Sequence, residues 1–130
     1  MKKSILAIGG VVLVCLVGGG ALFGLSQRNK AQQKPQVKLD GKTIVITEDG
    51  FTPESLTVAV GSTIKFVNSD TYWHWPASDP HPSHTFYSEL DPRQPIKPGT
   101  TWEVTLTKSG KWGIHDHLAP YIIGAVTVTP

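Results

Sequence analysis

The chain has 130 residues, with 12 Lys and Arg against 10 Asp and Glu, so its length allows one domain and a short additional segment. Residues 41–130 carry six basic and nine acidic side chains, which gives this part a net charge of −3. No basic patch with interleaved aromatic residues is present, so we expect no nucleic-acid partner. Because the only cysteine is Cys15 and the only methionine is Met1, a metal site in the domain must use nitrogen and oxygen ligands.

The N-terminal segment is strongly apolar. Residues 5–25 are 21 consecutive apolar or glycine positions preceded by Lys2 and Lys3, and as a helix they span roughly 31 Å, enough to cross a bilayer. We predict that residues 1–25 are either an uncleaved transmembrane anchor or a secretory signal peptide. The length favours the anchor, with residues 5–25 as the contact with the membrane. The domain is then expected on the extracytoplasmic side, or secreted if the segment is cleaved.

The polar residues 26–40 read as a flexible linker. From Gly41 the chain consists of short β-branched runs separated by turn residues, over 43–47, 55–60, 63–68, 102–107 and 122–129, with a further strand through His115. Strand signals at this spacing, without helical periodicity, predict an all-β antiparallel sandwich or barrel over residues 41–130.

Between residues 69 and 98 the strand pattern stops. This stretch holds six of the ten prolines, three of the five histidines and two of the four tryptophans. Proline removes ladder donors, so the stretch is not a regular central strand. A long loop in a small domain is functional or disordered, and its aromatic content argues for function.

Near the C-terminus, His115 and His117 are two residues apart on a predicted strand. Alternate side chains share a face and lie about 6–7 Å apart along the backbone, so both imidazoles point the same way and Asp116 is opposed. Pro120 is expected to break the strand just after the pair. Two imidazoles at a strand end, beside a loop, can share one metal ion.

All five histidines lie in these two segments, and a sandwich can bring both segments to one end. The sequence therefore predicts a metal site formed by His74, His84, His115 and His117. His81, between two prolines, is expected to be an exposed loop residue, although the choice between His81 and His84 stays open. Imidazole ligands favour copper by intrinsic affinity, with zinc or another divalent ion as the alternative. In the plainer interpretation, His74 packs between Trp73 and Trp75 as a core residue.

The strand alternation raises a difficulty for this site. Trp112 and Ile114 share the core-facing parity, so His115 and His117 point away from the core. The site must then lie at the rim, where strands bulge, or under the proline-rich loop. Asp116 is either a hydrogen-bond acceptor behind a ligand or an exposed charge. The remaining acids of the loop are expected to be surface charges: Asp70, Asp79, Glu89 and Asp91.

Residues 43–129 resemble the cupredoxin family. The resemblance rests on a set of framework motifs: Gly50-Phe51-x-Pro53, Leu56-Thr57-Val58-x-Val60-Gly61, Ile64-x-Phe66-x-Asn68-x-Asp70, His74, Lys97-Pro98-Gly99-Thr100, and Gly110-Lys111-Trp112 leading into Gly124-x-Val126-x-Val128. It implies a Greek-key β-sandwich with a site at one end, built from the loop after the Phe66 strand and from the penultimate loop.

The ligand pattern of the blue-copper members is absent. Counted from Gly110, their cysteine, histidine and methionine positions hold Asp116, Ala119 and Ile122, so only His74 is retained and a copper–thiolate centre is excluded. The Trp112-x-x-His115-x-His117 segment is similar to the His-x-His segment of multicopper oxidases, which implies metal binding by His115 and His117.

Taken together, these features predict an extracytoplasmic, all-histidine, type 2-like copper protein for metal capture or handling. Two other functions stay open: a metal-dependent redox enzyme, and a metal-free adhesion or assembly module in which the residue 73–75 loop contacts a protein partner. The sequence does not identify a protein partner.

Overall fold

The computed structural model describes residues 40–130, which form eight strands. The strands are β1 (Thr43–Thr47), β2 (Gly50–Thr52), β3 (Ser55–Ala59), β4 (Thr63–Asn68), β5 (Pro76–Ser78), β6 (Thr101–Thr105), β7 (Gly110–Asp116) and β8 (Ala119–Thr129). The predicted anchor and all but the last residue of the predicted linker lie outside the described residues. Within residues 40–130, no helix is long and apolar enough to span a membrane.

Two four-stranded sheets face each other, with strand orders β2-β1-β4-β6 and β3-β8-β7-β5. This arrangement confirms the predicted all-β sandwich, but the sheets are mixed rather than purely antiparallel. β1 pairs in parallel with β4, and β3 pairs in parallel with β8. Both parallel pairs join strands that are not consecutive in the chain, because the chain crosses to the other sheet after β2 and after β3 before it returns to pair with β1 and β3.

The core lies between the sheets, and in β3 and β4 alternate residues face it. In β4, Ile64, Phe66 and Asn68 are buried, whereas the residues between them are partly accessible. The Phe66 ring stacks on Trp102 of β6 with a centroid distance of 5.4 Å. Burial at every second residue of β4 is what the sequence pattern predicted, because one face of the strand must meet the opposing sheet.

The strand through His115 ends differently from the prediction. β7 ends at Asp116, and a tight turn at His117 and Leu118 leads directly into β8, in which Pro120 is the second residue. The turn, and not Pro120, ends the strand. On the other side of β7, the proline-containing β5 lies at the sheet edge, where a missing ladder donor is tolerated.

Asn68 holds both ends of the proline-rich segment. Its fully buried side chain donates to the carbonyl oxygens of Tyr72 (2.8 Å) and Ile96 (3.1 Å) and accepts from the amide of Asp70 (2.9 Å). Its backbone amide also donates to the Thr100 carbonyl oxygen at 2.9 Å. One side chain at the end of β4 therefore closes a loop of about thirty residues onto the sandwich.

We expect Asn68→Ala to lower the free energy of unfolding by about 2–4 kcal/mol, because three hydrogen bonds made by a fully buried side chain are lost. Urea unfolding of the purified protein measures this change. Thr57→Ala, on the exposed face of β3, is the control and should change stability by no more than about 0.5 kcal/mol. Equal stability of the two variants would contradict the role of Asn68.

Candidate metal centre

Four histidine rings converge at one end of the sandwich. His81, His84, His115 and His117 each offer one ring nitrogen, and these four nitrogens lie within 4.8 Å of one another. The His81 Nδ1 atom is 3.3 Å from His115 Nε2, and the His117 Nδ1 atom is 3.0 Å from His84 Nε2. Two loop histidines and two from the β7–β8 corner thus face a common centre.

A bulge at the end of β7 brings two of these rings into place. Register with β8 shifts between His115 and Asp116, and Ile114, His115 and Asp116 are all buried. β5 pairs with this part of β7, with Ala77 opposite His115, and so occupies its outer edge in the sheet. The site therefore lies at the bulged rim and under the proline-rich loop, which are the two places that strand parity left open.

The loop after β5 supplies the other two histidines. The backbone amide of His84 donates to the Pro80 carbonyl oxygen (2.8 Å), and its own carbonyl accepts from Ser78 Oγ (3.1 Å). These bonds hold His84 at a φ of 54°, in the left-handed region that disfavours non-glycine residues. A non-glycine residue fixed there is a feature of functional sites.

Two carboxylates set the direction of two rings. Asp79 accepts from His115 Nδ1 and Asp91 accepts from His84 Nδ1, both at 2.8 Å. With its Nδ1 proton engaged, each ring directs its unprotonated Nε2 lone pair at the cluster centre. Hydrogen bonds of this kind fix the tautomer and make the free nitrogen a better donor to a metal.

Trp75 connects the two halves of the cluster. Its ring lies against His117 with a centroid distance of 4.6 Å, and its Nε1 donates to Asp91 Oδ1 at 2.7 Å. The backbone amide of His117 donates to the Trp75 carbonyl oxygen at 2.7 Å. Trp75 therefore positions the His117 ring by direct packing. It positions the His84 ring indirectly, because Asp91 is hydrogen-bonded to both Trp75 and His84.

His74 lies outside the cluster. Its Nδ1 is hydrogen-bonded to Asp116, and its Nε2 lies 3.0 Å from Asp70 Oδ2. Both ring nitrogens are therefore occupied, and neither is directed at the other four histidines. Asp116 is fully buried and also accepts from the backbone amides of Trp75 and Leu118, so it is a structural acceptor and not an exposed charge.

The structure thus brings together three of the four predicted ligands, His84, His115 and His117, and replaces His74 with His81. His81 is exposed, as expected from its prolines, yet its ring still reaches the centre. Two of the predicted surface charges, Asp79 and Asp91, instead bond to cluster histidines, and Asp70 bonds to His74. Their position in the same loop as three histidines could have indicated that they bond to imidazoles. Sequence spacing does not show which carboxylate bonds to which ring.

The surroundings of His117 disfavour a positive charge on its ring. Burial of His117, followed by the proximity of the His84, His81 and His115 imidazoles, lowers the pKa of His117 below its usual value. For Asp91, burial opposes ionisation, but hydrogen bonds from Trp75 and His84 outweigh it and lower the pKa. Neutral rings and ionised carboxylates are the protonation states that a metal site requires.

Two of the spacings between cluster nitrogens match those found around one metal ion. Nitrogens about 2.0–2.1 Å from an ion lie roughly 3.3 Å apart in a tetrahedral arrangement and roughly 2.9 Å apart as neighbours in a square one. The two facing pairs, at 3.0 and 3.3 Å, fall at these values. An imidazole-only donor set suits zinc and copper.

Comparison with known proteins agrees with this architecture. The sequence profile of the family described as "Cupredoxin-like domain" matches residues 14–128, which is most of the chain. This chain belongs to the cupredoxin-like domain family. Cupredoxins bind copper. A search of curated proteins gave no significant match.

Similar solved structures include three that share 20–23% sequence identity with this chain and therefore show the fold alone. A purple cupredoxin from Nitrosopumilus maritimus has 20% identity and a TM-score of 0.55, covering 67% of this chain and 98% of that chain. A copper-containing nitrite reductase from Thermus scotoductus SA-01 has 23% identity and a TM-score of 0.56, covering 68% and 22%. A mutant of amicyanin in its reduced state has 21% identity and a TM-score of 0.56, covering 72% and 86%.

We expect the imidazole of His117 in the metal-free protein to titrate below 6.5, its ordinary value, because burial and three neighbouring rings oppose protonation. Its folded pKa is depressed, so the unfolded chain binds more protons below pH 6.5, and the contribution of His117 to stability falls as the pH drops through that range. Titration by NMR, with assignment by His117→Gln, measures the pKa. A value at or above 6.5 would contradict the clustered geometry.

Proposed function

We propose that this cupredoxin-like domain binds one copper ion through His81, His84, His115 and His117, and that it captures or hands on the metal. The observation that carries this proposal is the convergence of four ring nitrogens within 4.8 Å, two of them oriented by carboxylates. The copper is the cargo in this proposal, and the site resembles type 2 copper in having nitrogen ligands only.

The charge of the site favours a divalent ion. The four imidazoles are neutral donors, and the only acids hydrogen-bonded to them in the described part of the chain are Asp79 and Asp91. Two negative charges directly behind the ligands balance a double positive charge, and they reduce the cost of holding the ion away from bulk water. A monovalent ion would leave the site with a net negative charge.

Copper is preferred to zinc for two reasons. Divalent copper binds nitrogen sites more tightly than divalent zinc does, and the family to which this chain belongs is a copper-binding family. The nitrogen geometry by itself accommodates either ion. We further propose that residues 5–25 tether the domain on the extracytoplasmic side of a membrane, where it meets metal arriving from outside.

We expect purified protein to bind one equivalent of copper, with nitrogen hyperfine splitting in its electron paramagnetic resonance spectrum. His84→Ala and His115→Ala should each weaken binding by about tenfold or more, because each removes a buried, carboxylate-backed donor. His74→Gln should leave the hyperfine pattern unchanged, because both nitrogens of His74 bond to carboxylates. Circular dichroism establishes that each variant is folded. The ligand set would be refuted if His74→Gln altered the hyperfine pattern while His84→Ala bound copper with wild-type affinity.

We expect Gly113→Ala to impair copper binding without contacting the metal. A Cβ at this position would lie 2.1 Å from Asp79 Oδ2, so the carboxylate must move away from His115. Copper affinity should fall about 10–100-fold, as in Asp79→Asn, and the double variant should lose little more than either single variant. Competition with a chelator measures the affinities.

The matched control for this pair is Asp49→Asn, which removes an exposed carboxylate near the β1–β2 turn and should leave copper affinity unchanged. Additive losses in the Asp79→Asn, Gly113→Ala double variant would show that Gly113 acts by another route. Wild-type affinity in Gly113→Ala would show that the Asp79–His115 hydrogen bond does not support the site.

A further inference from the structure

We propose that His81 is the exchangeable ligand of the cluster, and that a histidine of a metal-accepting protein takes its place when the ion is handed on. This inference rests on the proposed copper site and assigns unequal roles to its four histidines. It predicts where the metal leaves and what kind of donor receives it.

Two ligands are fixed in place. His84 and His115 are 5% and 2% exposed, and each ring is held by a carboxylate at 2.8 Å. His115 also lies in a strand paired on both sides, opposite Ala77 of β5 and Ile123 of β8. Moving either ring out of the cluster would break its hydrogen bond to a carboxylate and disturb the sheet or the loop around it.

His117 is held by contacts of a different kind. It has no carboxylate partner among residues 40–130, but its ring packs on Trp75 and its backbone amide donates to the Trp75 carbonyl oxygen. Trp75 is in turn tied to Asp91. Moving the His117 ring away would lose its packing on Trp75 and its contact with His84 Nε2, and both partners belong to the network around Asp91.

Among residues 40–130, His81 has no carboxylate partner and no backbone hydrogen bond to Trp75. It is exposed, and within the described residues its only hydrogen bond joins its Nδ1 to His115 Nε2 at 3.3 Å. Its neighbours Pro82 and Ser83 are exposed as well. Rotation of this side chain toward solvent breaks that hydrogen bond and the packing of its ring on His117 and His115, at centroid distances of 4.7 and 5.2 Å. It leaves both carboxylate–imidazole hydrogen bonds and the Trp75 contacts in place, which makes His81 the weakest-held donor.

The charge of the site indicates what replaces it. With Asp79 and Asp91 already balancing a divalent ion, a neutral nitrogen donor substitutes for the His81 imidazole without changing the net charge, whereas an anionic donor would make it negative. A histidine side chain offered by an acceptor protein meets this condition. The exposed face of the loop at residues 81–83 leaves room for the incoming ring.

The test uses the copper-loaded full-length protein, with free imidazole as the probe. In His81→Gly, imidazole labelled with ¹⁵N should bind saturably at one per copper, seen as a ¹⁵N coupling in pulsed paramagnetic resonance. Imidazole should also restore copper affinity at least tenfold. In wild type, imidazole should accelerate copper transfer to a chelator in proportion to its concentration. Azide, an anion, should rescue His81→Gly less well than imidazole.

His84→Gly and His117→Gly are the matched controls, because each opens the same kind of gap at a restrained position, and imidazole should rescue neither. Equal or better rescue of either control, or tighter binding of azide than of imidazole, would overturn the assignment to His81. If His81→Gly is unfolded by circular dichroism, His81→Gln with the same transfer assay takes its place, and a transfer rate no faster than wild type would refute the proposal. Failure of wild type to bind copper would instead refute the proposed function.

Discussion

The site depends on two hydrogen bonds between a carboxylate and an imidazole, Asp79 with His115 and Asp91 with His84. Each bond uses the outward nitrogen of its ring, so the inward nitrogen keeps a lone pair that faces the other histidines. Without these bonds, nothing would fix which nitrogen of the His84 and His115 rings faces the cluster. The glycine at position 113 leaves the space that Asp79 occupies, and Trp75 holds Asp91 from the other side.

A second, separate network occupies the position that the cupredoxin resemblance assigns to ligands. His74 and Asp116, which stand at the histidine and cysteine positions of the blue-copper pattern, are hydrogen-bonded to each other. Asp116 also accepts hydrogen bonds from two backbone amides, that of Trp75 in the proline-rich segment and that of Leu118 in the β7–β8 turn. In this chain, therefore, those two positions fasten the proline-rich segment to the end of β7, and the four-histidine cluster lies beside them.

These two networks share the same short piece of backbone, which couples structure and site. Asp116 lies between His115 and His117, and Trp75 follows His74 directly in the chain. The amide of Trp75 bonds to Asp116, and its carbonyl oxygen bonds to the amide of His117. The backbone of Trp75 is therefore held on one side by Asp116 and on the other by His117. This arrangement explains how a loop with six prolines positions rings in a defined geometry: it is attached at Asn68, at Trp75 and at Ser78.

The sequence by itself determined the sandwich, most of its strands, and the end at which histidines gather, because a two-residue period and the spacing of turn residues act locally. It also determined that any metal there must be held by nitrogen and oxygen, since the domain has neither cysteine nor methionine. Only the tertiary structure decided which four of five histidines meet. His74 is hydrogen-bonded to Asp116 and Asp70, and the His81 ring contacts His115. These contacts join residues up to 42 positions apart in the chain. Such pairings depend on register shifts, side-chain directions and a glycine-sized space, and none of these leaves a periodic mark in the chain.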